Sequence, residues 1–158
     1  MRSILNISAV LGDVSELQLH PKEMEDVLTV AYLAMCADGH LSEEKVDTFE
    51  RAVQGLLGAQ GTALRATLLM TRLGRLSELR GPAALLLEAA HRLKSTAARQ
   101  AYKLAYAMLL SSVDTNDQEF LFEDRLREAL GLSEQDAEQL MDEVVEAVES
   151  RDSDTELD

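Results

Sequence analysis

Helix start and stop signals divide this chain into short segments, and this punctuation constrains the fold more than any other feature. Pro21 and Pro82 suit the first position of a helix. Ser42 and Ser133 are N-cap residues, and Gly81 ends a segment. Between these points, apolar residues recur three or four positions apart, whereas no Asn-Gly hairpin or alternating strand pattern occurs. The sequence therefore predicts an all-α fold.

Length and composition fit one helical domain. The chain has 158 residues, of which 46% are hydrophobic and only 4% aromatic, and this composition favours helices over strands. We expect a single-domain bundle of about seven helices. Residues 1–20 are predicted to be an N-terminal helical segment, residues 21–150 the helical domain, and residues 151–158 an acidic disordered tail.

The net charge of −14 is unevenly distributed. Residues 1–59 carry −6, residues 60–103 carry +6 and residues 104–158 carry −14. Two interpretations are open: the basic centre is screened by the acidic ends within one fold, or it forms a face for an acidic partner or lipid headgroups. The overall negative charge and the lack of a recognised motif argue against nucleic acid as a partner.

Nothing in the sequence predicts export or membrane insertion. The chain has one cysteine, Cys36, so an internal disulfide is ruled out. Its start lacks the apolar core of a signal peptide, and no run approaches the roughly 20 apolar residues that span a bilayer. We expect a cytoplasmic protein without a transmembrane segment.

Two stretches of the chain echo each other. They are "AYLAMCADGHLSEEKVDTFERAVQGLLG" and "AYAMLLSSVDTNDQEFLFEDRLREALGLS". Each joins the end of an apolar helix to an amphipathic helix through an acidic loop. Asp38 is followed five residues later by Glu43, and Asp114 is followed at the same spacing by Glu119. The echo predicts two pseudo-repeated helix-loop-helix units within the bundle.

These two stretches resemble the TerB family of tellurite-resistance proteins and the related domain of a membrane-anchored DnaJ-like co-chaperone. The motif is an apolar helix followed by Ala37, Asp38 and Gly39, with acidic residues downstream. The resemblance extends over about residues 21–148, and Thr115 stands in the second unit where the motif has Gly. It implies an all-helical domain whose clustered acids bind a divalent cation. It also implies a stress-response role through protein partners, some of them at the inner membrane face.

The acidic loops have two open interpretations. Ca²⁺ takes about six to eight oxygen ligands and Mg²⁺ about six, and carboxylates supply such oxygens. Acids just inside a helix N-terminus also stabilise the helix by themselves, by about 0.3–1 kcal/mol each. The candidate cation ligands are Asp38, Glu43, Glu44, Asp114, Asp117 and Glu119.

Better-known sites are excluded by spacing. An EF-hand requires Gly at its sixth position, where counting from Asp38 gives Glu43. Cys36 and His40 do not make up the three or four ligands that zinc needs, and Cys36 lies on an apolar stretch typical of a buried thiol. No phosphate loop, nucleophile elbow or His-Glu-x-x-His motif occurs. We therefore expect a non-catalytic protein.

One helix carries a second candidate surface. In "GTALRATLLMTRLGRLSELRG", the row Leu64, Leu68, Leu69 and Leu73 accompanies the candidate partner-binding residues Arg65, Arg72 and Arg75. Such a basic amphipathic helix is half core and half partner surface. The leading hypothesis is a TerB-like domain that binds protein partners and, through its acidic loops, a divalent cation. The alternative is a pure interaction or oligomerisation module that docks through its basic central helices without metal.

Overall fold

The fold is an all-α bundle, as the sequence predicts. A computed structural model describes Val10 and residues 19–37, 39, 41–110 and 117–157. Within these ranges there are seven α-helices, a short 3₁₀ turn at Gly58–Gln60 and no strands. The helices are α1 (Pro21–Met35), α2 (Glu43–Leu57), α3 (Ala63–Arg80), α4 (Pro82–Arg92), α5 (Ser95–Leu110), α6 (Asp117–Leu130) and α7 (Glu134–Leu157).

Local capping chemistry sets the helix starts. The Lys45 amide donates to Ser42 Oγ at 3.2 Å, and the Arg65 amide donates to Thr62 Oγ1 at 3.1 Å. Each cap satisfies an amide that has no partner inside the helix. His20 caps α1, because its Nδ1 accepts from the Lys22 amide at 3.3 Å, a role that its residue type does not announce.

Two helices are followed by a glycine with a left-handed backbone conformation. Gly81 lies between α3 and α4 and has φ of 90°, a left-handed conformation that ends the helix. Glycine suits this position because residues with a side chain rarely adopt such a φ. Gly39 has φ of 80° and its amide donates to the Cys36 carbonyl at 3.0 Å, as expected for the turn that follows α1. Gly81 therefore ends α3 as the sequence predicts, and Gly39 forms part of the turn after α1.

The bundle is organised around α1 and α5, the first helices of the two predicted units. These two helices pack against each other along their length; α2 and α4 cover α1, while α6 and α7 cover α5. α3 lies outside, against α2 and α4, with a smaller contact to α1. The largest fully buried side chains include Tyr102, Phe49, Leu28, Met35, Leu104 and Met108.

α1 is more deeply buried than its sequence pattern indicates. Helical spacing predicts one apolar stripe that includes Val27, Leu28, Ala31 and Ala34, yet Val30 and Leu33, which lie outside this stripe, are buried as well. Other helices pack on several sides of α1, so its apolar residues need not share one face. α1 is thus a central helix rather than an amphipathic surface helix.

The predicted N-terminal segment and the predicted C-terminal tail can each be compared with the structure in part. Val10 is helical and buried against Ala107 and Val144, and most of the other residues of the predicted N-terminal segment lie outside the described ranges. α7 continues to Leu157, so residues 151–157 are helical where the sequence predicts a disordered tail. No Gly or Pro follows Ser133 to stop the helix.

Candidate functional site

The first acidic loop is described only in part. Asp38 lies outside the described residues, while Glu43 and Glu44 are exposed in the first turn of α2. Ser42 caps this turn through the Lys45 amide. The two glutamates therefore have the placement that stabilises a helix start, with or without a cation.

The second acidic loop is described even less. Asp114 lies outside the described residues. Asp117 and Glu119 belong to the first turn of α6, but their side chains are not described. Within the residues that the structure describes, no three His, Cys, Asp or Glu side chains converge on a point where a metal would sit. The cation site remains a prediction.

A buried lysine lies next to the first loop. The side chain of Lys45, in the first turn of α2, is 4% exposed. Lysine is rarely buried to this extent without an interaction partner, and Lys45 has one. Lys45 therefore belongs to the packed part of the α2 start, next to the exposed Glu43 and Glu44.

The two predicted units approach each other at a cavity of about 740 Å³. Cys36 and Ala37, just before the first acidic loop, line one side of it. Leu121 and Phe122, in the α6 segment that follows the second loop, line another. The remaining wall comes from the junction of α3 and α4, with Arg80 and Arg125 as the charged lining residues that are described.

The predicted partner-binding arginines lie on the outer side of the bundle. Arg65, Arg72 and Arg75 are all exposed on α3. Arg72 is also used inside the molecule, since its Nη2 lies 2.6 Å from Glu25 Oε1 on α1. The pKa of Glu25 is lowered, mainly by this hydrogen bond from Arg72. Arg65 and Arg75 have no ion pair within the described ranges.

The leucine row of α3 divides between two faces. Leu69 and Leu73 are buried against the bundle, whereas Leu64 and Leu68 are 68% and 59% exposed. Leu64 and Leu69 lie about 140° apart around the helix, so one packing surface does not cover both. Leu79, at the far end of the outer side, is 75% exposed. We call Leu64, Leu68, Arg72, Arg75 and Leu79 the α3 outer face.

Much of the basic centre is neutralised within the fold. Of the eight basic residues between 60 and 103, five pair with acids. The pairs are Arg72–Glu25, Arg80–Glu88, Arg92–Asp26, Arg99–Asp136 and Lys103–Glu143. Charge screening within the fold, one of the two interpretations of the charge pattern, therefore accounts for most of this region.

One of these pairs reaches the protein interior. Asp26 on α1 is 2% exposed, and its carboxylate accepts from Arg92 Nε at 3.0 Å and from Arg92 Nη2 at 2.9 Å. This two-pronged geometry ties α4 to the central helix. The hydrogen bond with Asp26 also raises the pKa of Arg92. Sequence spacing gives no sign of it, because the two residues are 66 positions apart.

Comparison with known protein families, curated proteins and solved structures finds no match to this chain. The TerB resemblance therefore stays a prediction that rests on the two quoted stretches. Among the helices of the described ranges, none is both long and apolar enough to cross a membrane. Functional conclusions have to come from the α3 outer face, the acidic loops and the cavity.

Proposed function

We propose that this chain is a non-catalytic helical interaction module that docks an acidic amphipathic helix of a protein partner on the α3 outer face. This is the docking alternative of the sequence analysis, and it agrees with the partner-binding role that the TerB resemblance implies. The cytoplasm is the compartment we propose, because a chain with a single cysteine forms no internal disulfide and fits a reducing environment.

The observation that carries the proposal is the exposure of leucine on α3. Leu64, Leu68 and Leu79 lie on one side of the helix, over a length of about 22 Å. Single exposed leucines are common on protein surfaces, but a row of them on one helix marks an interaction surface. Leu64 and Leu68 are four positions apart, and Arg72, Arg75 and Leu79 continue the row at spacings of four, three and four, as on a helix face that binds a partner.

The charge of α3 indicates the chemistry of the partner. The helix has four arginines and one glutamate, giving +3 in a chain whose net charge is −14. Arg75 lies between the exposed leucines, and Arg65 flanks Leu64. A partner helix with leucine-sized anchors and flanking carboxylates would match both the apolar and the charged parts of this face.

A peptide titration tests the docking. The probe is a fluorescently labelled synthetic acidic amphipathic helix with leucines four residues apart and glutamates beside them. We expect saturable binding that weakens at least tenfold in the double variant Arg65→Glu/Arg75→Glu, and again in Leu64→Ser/Leu68→Ser. Arg72 is left intact because its loss also removes the Glu25 ion pair.

The matched control changes the same charge elsewhere. The variant Arg51→Glu/Lys94→Glu alters two exposed basic residues on other parts of the surface. Unchanged peptide affinity in this control, with loss in the α3 variants, supports the outer face. Equal losses in both double variants would overturn it. Binding to anionic phospholipid vesicles in place of the peptide would assign the face to a membrane surface and also overturn the proposal.

A second candidate function is divalent-cation binding by the acidic loops. It is favoured by the cavity, because Cys36 and Ala37 precede Asp38 directly and share that cavity with Leu121 and Phe122. Glu43 and Glu44 are exposed in the first turn of α2, which follows the first loop.

Calorimetric titration with Ca²⁺, Mg²⁺, Mn²⁺ and Zn²⁺ tests the cation. We expect binding that is lost in Asp38→Ala and in Asp114→Ala, and kept in the control Asp47→Ala, which changes an exposed acid of α2. No heat and no change in melting temperature at millimolar metal would end this proposal.

The stress-response role rests on the TerB resemblance alone. We propose that loss of the protein sensitises cells to tellurite. Growth of a deletion strain on tellurite, with the gene restored as a control, measures this directly. Identical growth of the deletion and restored strains would separate this chain from the function of that family.

A further inference from the structure

The cavity between the two units has the position and size of a ligand site. It is bounded by the end of α1, the α3–α4 junction and the second turn of α6. Its volume of about 740 Å³ lies within the range of about 300–1,000 Å³ that small-molecule sites occupy. Sites of this kind often lie between helices of a bundle.

The described lining of this cavity is mainly apolar. Leu33 and Leu86 are buried in the surrounding core, and Phe122 is half-buried. Ala83 and Ala84 contribute small side chains at the start of α4, which leave space beside them. An apolar ligand body would gain about 25 cal/mol for each Å² that it removes from water here.

The charged groups of the described lining are both positive. Arg80 and Arg125 line the cavity, and no acid does so among the described lining residues. Arg80 also pairs with Glu88, whereas Arg125 is exposed on α6. The first turn of α4 adds the positive end of a helix dipole, and no side chain caps it.

We infer that this cavity binds a small amphipathic anion, a carboxylate with an apolar tail. The tail lies against Leu33, Leu86 and Phe122, and the carboxylate pairs with Arg125 and Arg80. Guanidinium binds carboxylate through two parallel hydrogen bonds, so the head group is selected by charge and shape. The inference does not depend on the α3 outer face or on a cation.

The probe is decanoate, kept below the concentration at which it forms micelles and added to the isotope-labelled full chain. We expect saturable changes in the amide resonances of Ala84, Leu86 and Phe122. Decyl glucoside, with the same tail and an uncharged head, should bind at least tenfold more weakly. Decyltrimethylammonium, with a positive head, should not bind. Equal affinity for decanoate and decyl glucoside would overturn the assignment of the head group.

Variants of the charged residues test where the carboxylate of the ligand lies. Arg125→Gln should weaken decanoate binding about tenfold, since a charge-assisted contact is lost. Arg51→Gln is the matched control on α2 and should bind as the natural chain does. Glu88→Gln releases Arg80 and should strengthen binding. A weaker affinity in that variant would contradict a carboxylate at Arg80.

Filling the cavity tests the tail independently of charge. Ala84→Trp places a large side chain in the space beside α4 and should abolish the saturable shifts. Circular dichroism and the melting temperature verify that each variant is folded. Failure of decanoate to give saturable shifts with the natural chain, or retention of binding in folded Ala84→Trp, would overturn the site.

Discussion

α1 and α3 contain the same number of apolar residues but use them differently. Each helix has nine, in 15 positions of α1 and 18 of α3. Seven of the nine are buried in α1 and three in α3. α1 has neighbours on several sides, while α3 lies at the edge of the bundle, mainly against α2 and α4. Burial is therefore set by a helix's place in the bundle, and apolar residues left at the edge become available to partners.

The largest expected effect comes from truncating one leucine in each helix. Leu28 on α1 is fully buried, so Leu28→Ala should lower the free energy of unfolding by about 2–5 kcal/mol. Leu68→Ala on α3 should change it by less than about 0.5 kcal/mol, because that side chain is already in water. Urea denaturation of both variants measures the difference. Similar losses would show that the α3 outer face is part of the folded core.

An intermediate effect is expected from two arginines that bind neighbouring acids of α1. Arg92→Ala leaves the Asp26 carboxylate buried without its partner and should cost about 2 kcal/mol, allowing for the half-exposed guanidinium. Arg72→Ala should cost less than about 1 kcal/mol, since the Glu25 pair is solvated. Thermal and urea unfolding of the two variants shows which substitution lowers the free energy of unfolding more. A reversed order would mean that α3 is held to α1 more firmly than α4 is.

The smallest effect is a pH dependence of the Glu25–Arg72 pair. The hydrogen bond from Arg72 lowers the pKa of Glu25 from its ordinary value of 4.5. A carboxyl whose pKa is lowered by folding contributes stability above its unfolded pKa, and that stability is lost as the pH falls through the folded pKa. Arg72→Gln should therefore be slightly less stable than the natural chain at pH 7, and the difference should vanish in acid.

Unfolding measured at several pH values below neutrality tests this dependence. Arg75→Gln is the control, because Arg75 is exposed on the same helix and has no ion pair among the described residues. It should show no pH-dependent difference from the natural chain. The same pH profile in both variants would place the effect in the general charge of α3 rather than in the Glu25 pair.

The helix starts are the part of the fold that the sequence predicts well. Pro21, Ser42, Pro82 and Ser133 all act at the positions that local chemistry assigns to them. A cap is satisfied by an amide two or three residues away, so its geometry is local. The end of α7 is predicted less well, since acidic composition suggests disorder but contains no residue that stops a helix.

The candidate sites are less predictable. The arginine row of α3 can be identified from spacing alone. Which leucines of α3 are buried, as Leu69 and Leu73 are, depends on where the neighbouring helices lie. The cavity is formed by α1, α3, α4 and α6, and no sequence window contains its residues. Arg125 is consequently absent from the residues that the sequence singles out. Asp38 and Asp114, central to the predicted cation site, lie outside the described residues.

The amino-acid sequence by itself determined that this chain is helical, where most helices begin and that positive charge is concentrated in the middle, because propensity, capping and charge act over a few residues. Only the tertiary structure decided that α1 is central and α3 peripheral, that Arg92 reaches Asp26, and that apolar walls with two arginines enclose a cavity. Those features depend on which helix faces pack together. That choice is made by contacts between residues that are far apart in the chain.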